Sequence, residues 1–442
     1  MSKLFHWIKR MEKQLSSDLH SIEELAHNLE EELPSGNQTI QCFYDNLAIL
    51  PQGQSRERLA AWFSKAHPRY NMSSWCFFGN ITDDNGNTAA ISSIVQRNDL
   101  PGQTPYVSEW SFCDDTTKGY VLAPFLTEAG NVEFAEPFAI TVDANPLYSG
   151  LMNLALTAGR MGEAGASYRM TGRVMTEPDL EDEWTYELVL TDTFGCIQIG
   201  YGPSSFQPQW LMAEQQKQIM ENYQGNVESY LKESCDHLLG QGSYYYSFPL
   251  LQVNRCLIRK NGAVHFNGSK GNLWIDYVVQ SFNQESLDIV KTASWQFFAV
   301  QFPEIPGYYN YQAAMMIFIV EVELPGGGKS VLPMARFYDN DPYHSKQAEN
   351  GATIASHEWA IDQITFTPTK TWSDGSKDFP VAFTLEMKSD TGSISLTGKA
   401  IRDNQVVKLV EKYEGVFDIE ADIQVSNIQA EKVRGFAWAE VR

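Results

Sequence analysis

Trp75-Cys76-Phe77-Phe78-Gly79-Asn80-Ile81-Thr82-Asp83-Asp84-Asn85-Gly86-Asn87-Thr88-Ala89-Ala90-Ile91-Ser92-Ser93-Ile94-Val95 is the stretch that decides the fold. An apolar run of strand length ends in the turn residues Asp83 to Asn87, and a second apolar run begins directly after them. That order predicts an antiparallel hairpin. The same texture continues outward: Tyr168 to Met175 and Tyr186 to Leu190 form a further pair around the acidic loop Glu177 to Glu183. From Phe43 to about Pro208 the chain therefore reads as one antiparallel domain.

Two segments break this texture. Leu4, Ile8, Met11, Leu15, Leu19, Ile22, Ala26, Leu29 and Leu33 recur at helical spacing until Pro34-Ser35-Gly36, which predicts an N-terminal amphipathic helix over residues 1–36. Trp210 to Leu239 returns to helical period, with Ile219, Tyr223, Val227, Tyr230 and Leu238 on related faces. Strands resume after Ser243: Trp295 to Phe302, Met315 to Glu323, Ile364 to Pro368, Val381 to Met387 and Ser393 to Ile401. The expected organisation is a helix (1–36), a first β domain (37–208), a helical connector (209–242) and a second β domain (243–442). Strands at this spacing suit closed or nearly closed barrels, whose mouths and shared interface accept apolar ligands.

Composition narrows the function. Of 442 residues, 33 are Lys or Arg and 55 Asp or Glu, a net charge of -22 that repels phosphate backbones and so argues against a nucleic-acid partner. The chain holds 24 Phe, 20 Tyr and 11 Trp, more rings than its ordinary 43% hydrophobic content demands, and these are expected to line a cavity as well as cores. The longest apolar run, Ala313 to Val320, is strand-sized and cannot cross a membrane as a helix. No signal-peptide pattern opens the chain, so the expectation is a soluble cytoplasmic protein. Its dispersed cysteines, Cys42, Cys76, Cys113, Cys196, Cys235 and Cys256, are then free thiols, and the Asn-x-Ser/Thr triplets at Asn37, Asn71, Asn80 and Asn267 are chance matches.

Familiar catalytic patterns are absent: no Walker loop, no GxSxG elbow, no HExxH and no GxGxxG after a strand. Gly326-Gly327-Gly328 follows a strand pattern but no helix follows it, so it reads as a hairpin turn. No cofactor and no metal site is expected. Trp274 and Asp276 stand two apart in a strand and share one face. If that face lines a cavity, an apolar wall raises the carboxyl pKa and suits it to donate a proton; if it faces solvent, Asp276 is an ordinary strand residue. The same pair of readings applies to His357-Glu358-Trp359, Trp372, Tyr413-Glu414-Gly415 and Gly435 to Glu440.

Seven segments in order carry a resemblance: Ser74 to Gly79, Tyr245 to Pro249, Gly271 to Asp276, Trp295 to Phe298, Trp372 ahead of Phe379-Pro380, Tyr413-Glu414-Gly415, and Gly435 to Glu440. Over residues 43–442 the chain resembles the family of carotenoid 1,2-hydratase (hydroxyneurosporene synthase), the AttH-like proteins and the fungal decalin-forming Diels-Alderases. The resemblance implies two lipocalin-like β domains side by side, an apolar pocket at or near their interface, no cofactor, and a greasy small-molecule substrate. Two departures stand out. Asp276 is followed by Tyr277, Val278 and Val279 where hydratase-like members carry a basic residue, an acidic or amide residue and a Trp, and Cys76 replaces a common aromatic.

The leading expectation is a cofactor-independent cyclase or isomerase of specialised metabolism acting on a hydrophobic polyene, terpenoid or polyketide-like substrate. Trp75, Tyr245, Trp274, Trp295 and Trp372 would shape its pocket, and Asp276, with Glu414 or Glu440, would supply the acid. A hydratase acting on an isoprenoid double bond and a non-catalytic lipid or pigment carrier are the alternatives.

Overall fold

The computed structural model describes residues 72–98, 105–117, 119–128, 132–143, 151–176, 182–199, 221–222, 224, 243–280, 293–323, 329–340, 355–359, 363–407, 412–425 and 428–441. The helix expected over 1–36 lies outside the described residues. So does the connector at 209–242, apart from Glu221, Asn222 and Gln224. The fold is mainly β, two curled antiparallel half-barrels of lipocalin-like architecture.

The first sheet contains β1 (Met72–Asp83), β2 (Thr88–Asn98), β3 (Pro105–Cys113), β4 (Val121–Glu128), β5 (Val132–Ala135), β6 (Ala139–Asp143), β7 (Leu151–Ala158), β8 (Ser167–Thr176), β9 (Asp182–Asp192), β10 (Ile197–Ile199), β11 (Ser243–Lys260) and β12 (Ala263–Gln280). Its strand order is β4-β3-β2-β1-β12-β11-β9-β8-β7-β6-β5, with β10 added on β11. The second sheet contains β13 (Ser294–Phe302), β14 (Ala313–Glu323), β15 (Lys329–Asp339), β16 (Ala355–Trp359), β17 (Ile364–Ser373), β18 (Asp378–Ser389), β19 (Gly392–Ala400), β20 (Val406–Val407), β21 (Lys412–Val425) and β22 (Ile428–Val441). It runs β16-β15-β14-β13-β22-β21-β19-β18-β17, with β20 on β21.

The hairpin read from Trp75 to Val95 is β1 and β2, paired from Met72↔Asn98 to Thr82↔Thr88. Its turn is tied by Asp83, whose Oδ1 accepts the backbone N–H groups of Asn85 and Asn87, both at 2.8 Å. Asn261-Gly262 closes β11 onto β12 with φ of 51° and 80°, the left-handed pair that a type I′ turn requires. The boundary between the two halves differs from the sequence reading. Residues 243–280, assigned to the second domain, form β11 and β12 and hydrogen-bond to β9 and β1. Local pattern specifies that a segment is a strand, whereas its partner is chosen by packing across the whole fold. The second sheet thus starts at Ser294.

Each sheet wraps its own core. Trp110, stacked on Tyr186 at 5.3 Å and beside Trp184 and Phe112, anchors the first, and Phe298, Phe383 and Phe417 anchor the second. Burial along the strands shows which elements are covered on both sides. The β9 pattern alternates, with every second residue buried, as for a sheet with one wet face. In β1 and β12 burial is continuous, from Phe77 to Ile81 and from Asn272 to Tyr277. The reason is a third cluster between the sheets, where Phe78 and Trp274 meet Phe297 and Trp438, with Phe78 stacked on Trp438 at 5.3 Å. Polar ties cross the same boundary: Gln301 Nε2 donates to the Pro249 carbonyl at 2.6 Å, and Arg402 Nη2 donates to the Thr88 carbonyl at 2.7 Å and pairs with Asp115.

Gly271 in β12 sits where its backbone passes β1 closely, at φ of 125°, and a Cβ there would lie 2.2 Å from the Asn80 carbonyl oxygen. Gly271→Ala is expected to destabilise the fold by roughly 2 to 4 kcal/mol, from backbone strain plus overpacking. Gly86→Ala, at φ of 89° in an open turn, meets no neighbouring atom and should cost only about 1 kcal/mol. Urea unfolding of the two variants measures both losses.

Candidate functional site

The alternation of a strand sorts the residues of β1, β11 and β12 between the first core and the space between the sheets. Trp75 and Phe77 point into the core, so Cys76 and Phe78 point to the other face. On β12, Leu273, Ile275 and Tyr277 fill the core while Trp274 and Asp276 face the second sheet. On β11, Tyr246 and Phe248 go inward and Tyr245 and Ser247 outward. The register then aligns Ser247, Asp276, Cys76 and Glu109, with the apolar Ile94 between the last two, in one row across the sheet. Ser247 pairs with Asp276, Asp276 with Cys76, Cys76 with Ile94, and Ile94 with Glu109.

Asp276 is the centre of this row and is 3% exposed. Three donors converge on its carboxyl group. Ser247 Oγ donates to Oδ1 at 2.5 Å, the Trp274 indole N–H donates to the same oxygen, and the Tyr245 hydroxyl donates to Oδ2. Burial is the largest influence on its acidity and opposes the charged form. The three hydrogen bonds favour the charge, and the nearby Glu440 disfavours it again. Burial wins, and the pKa rises from 3.8 to about 7. The neighbouring Cys76 thiol, which contacts Ser74 Oγ at 3.3 Å, is pushed up to about 12, chiefly by burial. It is a poor nucleophile there.

The second sheet brings its own charged group to this boundary. Glu414 of β21 and Glu440 of β22 are direct cross-strand partners, and Lys412 stands two residues from Glu414 on the same face. The Lys412 ammonium pairs with Glu414 and, at 3.0 Å, with Glu440 Oε1, which also accepts the Trp295 indole N–H at 2.9 Å. Burial opposes the Lys412 charge, but the two carboxylates outweigh it and hold its pKa above the usual lysine range. Glu414 is raised, first by burial and then by Glu440, with Lys412 opposing. Glu109, at the far end of the first-sheet row, is raised to about 8 by burial and by the charge of Glu414.

Five of the residues expected from sequence meet here: Asp276, Tyr245 and Trp274 from the first sheet, and Glu440 and Trp295 from the second. Glu414 is joined to them through Lys412. Two others lie elsewhere. Trp75 stacks on Tyr277 at 4.7 Å inside the first core, because its parity in β1 is opposite to that of Cys76. Trp372 lies on β17, the far edge of the second sheet, packed against the second core. Sequence reading missed Lys412, Glu109 and Ser247. Lys412-x-Glu414 carries the period-two signal of a shared strand face, whereas nothing local marks Glu109 as lying near Glu414 and Lys412 of the second sheet.

In the space expected to be a ring-lined cavity, Phe78, Tyr245, Trp274, Phe297 and Trp438 belong to one cluster drawn from both sheets. Two open clefts are lined by other residues. One of about 930 Å³ runs between Pro303, Lys399, Asp418 and Arg434 and is walled by Phe436, which shares a strand face with Trp438 and Glu440. Another, of about 310 Å³, is lined by Asp114, Asp115 and Arg402. Among the described residues, no group of His, Cys, Asp and Glu side chains is arranged to hold a metal ion, and no helix is long and apolar enough to cross a membrane. Cys76, Cys113, Cys196 and Cys256 form no disulfide among the described residues, and Cys42 and Cys235 lie outside them.

No family model and no curated protein matches the chain. Solved structures do. A protein of Nitrosomonas europaea provisionally assigned as an AttH aligns at 16% identity and a TM-score of 0.54, over 88% of this chain and 98% of its own. Kievitone hydratase from Nectria haematococca aligns at 12% identity and a TM-score of 0.46, over 86% of this chain and 90% of its own. The first likeness shows that the double half-barrel is a shared fold.

A raised pKa in the folded state means that the native protein binds a proton that the unfolded chain has already released. Stability contributed by protonated Asp276 is therefore fully present below about pH 4 and is lost as pH rises to about 7, a change of roughly 4 kcal/mol. Asp276→Asn removes this slope. Denaturant unfolding at pH 4.5 and pH 8 should show the difference between variant and wild type moving in favour of the variant at the higher pH.

Proposed function

We propose that the protein is a cofactor-independent cyclase or isomerase that acts on a hydrophobic polyene, terpenoid or polyketide-like molecule, with Asp276 as its general acid. The observation that carries this reading is the state of Asp276, a carboxyl group sealed between two sheets and poised near neutral acidity. A general acid works best when its pKa lies near the working pH, because enough of it is protonated and the proton still leaves readily.

The surrounding groups fit each stage of such a transfer. The neutral acid presents its proton to an alkene carbon of an apolar substrate. Once the proton has left, the Ser247, Tyr245 and Trp274 donors are already aimed at the resulting carboxylate and need no reorganisation. The positive charge left on the substrate lies among the Trp274, Phe78 and Trp438 rings, whose faces attract cations. Protonation followed by rearrangement conserves oxidation state and requires no redox partner. Phe436 walls the 930 Å³ cleft and lies on the same face of β22 as the buried Trp438, so an apolar chain entering from that side reaches Asp276 only if the rings between them part.

Native mass spectrometry of the purified protein identifies any apolar molecule it retains, and that molecule is the substrate to test. Incubation in 18O-labelled water is expected to give a product isomeric with the substrate and free of label. Asp276→Asn should slow turnover at least about 100-fold, the usual contribution of a positioned acid, and wild-type turnover should fall above pH 7 as Asp276 ionises. Label in the product would replace this reading with hydration, and a ligand unchanged after long incubation would replace it with carriage.

A further inference from the structure

The Lys412–Glu414–Glu440 group takes no part in the proton delivery described above, and it sets two carboxyl groups around one ammonium. The side-chain exposures are 17% for Lys412, 4% for Glu414 and 24% for Glu440. With both carboxyls ionised the group would carry an excess negative charge; burial and Glu440 counter it by raising Glu414, and a cationic group beside Glu440 would counter it as well. Its position relative to Asp276 follows from the strands. Phe78 of β1 stacks on Trp438 of β22; two residues along each strand, on the same faces, stand Cys76 and Glu440. Cys76 is the direct cross-strand partner of Asp276. The charge of Glu440 accordingly acts on Asp276, Cys76 and Tyr245 alike.

The hydrogen bonds of Glu440 are one-sided. Lys412 Nζ and the Trp295 indole N–H both contact Oε1. Oε2 has no hydrogen bond to another described residue, so a carboxylate held firmly by one oxygen offers the other. Lys412 and Trp295 fix the orientation, and the indole supplies an apolar surface beside it.

We infer that Glu440 is a second catalytic residue of the site, the counter-charge and proton acceptor for a cationic form of the substrate. This rests on the reading of Asp276 as the acid and extends it to the class of reaction. Asp276 gives its proton to one alkene carbon, which forms a C–H bond and leaves the neighbouring carbon positive. An adjacent C–H bond then breaks, its electron pair forms the new double bond, and its proton goes to Glu440 Oε2. The proton returns from Glu440 to the Asp276 carboxylate before the next turnover. One proton enters and one leaves, so the product is an isomer and no water is consumed.

The test uses two probes of equal chain length on the full chain, dodecyltrimethylammonium below its micelle concentration and neutral 1-dodecanol, measured by calorimetry with near-ultraviolet circular dichroism as the check on folding. Wild type is expected to prefer the ammonium probe. Glu440→Gln should weaken ammonium binding about tenfold or more and leave dodecanol within about twofold. Glu440→Asp, which keeps the charge, should keep the preference. Equal losses for both probes in Glu440→Gln would mark a structural role and overturn the inference, as would an unchanged ammonium affinity or a wild type without preference. Asp276→Asn separates the two readings. It should weaken ammonium binding at pH 8, where wild-type Asp276 is charged, and have little effect at pH 6. A Glu440 effect without this pH-dependent Asp276 effect would sink the acid and spare the counter-charge.

Discussion

The stack of Phe78 on Trp438 belongs to the contact on which the site depends, the packing of one half-barrel's outer face against the other's. A lipocalin-like sheet on its own would leave that face wet, and Asp276 would be an ordinary strand carboxylate with three neighbours. Pressed against β13 and β22, the same carboxyl group loses water. Three hydrogen bonds, each favouring the charge, then fail to outweigh desolvation. The acid is thus a property of the interface, and neither sheet contains it alone.

Much of this was written in the sequence, although unevenly. The Trp75 to Val95 hairpin was legible because its turn chemistry is local, and the Asn261-Gly262 turn for the same reason. The pairing of β12 with β1 was not, since nothing near Trp274 names Trp75 or Phe78 as neighbours across the sheet. Parity made Trp274 and Asp276 a unit, but parity alone does not tell core from interface. Trp75 and Trp274 look alike in sequence, and the fold turns one inward and the other outward. Glu109 was invisible because a lone charged residue beside the exposed Val107 on one face of a strand is the ordinary mark of a solvated face, and nothing local shows that Glu414 and Lys412 of the second sheet lie near it.

Electrostatics gives the two sheets different characters at their meeting place. The first contributes hydroxyl and indole donors around a single carboxyl group, an arrangement that welcomes a charge after it forms. The second contributes two carboxyl groups around the single ammonium of Lys412, one of them, Glu414, raised by burial and by its neighbour. A net charge of -22 keeps the molecule as a whole anionic, but the relevant charge is the local one, where low dielectric makes a single carboxylate count.

The strand order also governs how the chain can be made. Met72 at the start of β1 pairs with Gln280, and Gln296 in β13 pairs with Val441, so each sheet is stitched through its middle by strands that leave the ribosome long after their partners. Until β12 emerges, β1 presents the unpaired edge of an apolar hairpin, and β13 waits in the same way for β22. Sequence-distant pairings of this kind slow folding and leave nascent edges open to wrong partners. The interface that makes Asp276 an acid is therefore among the last features to form during synthesis, and a chain cut short before β22 would lack both Trp438 and Glu440.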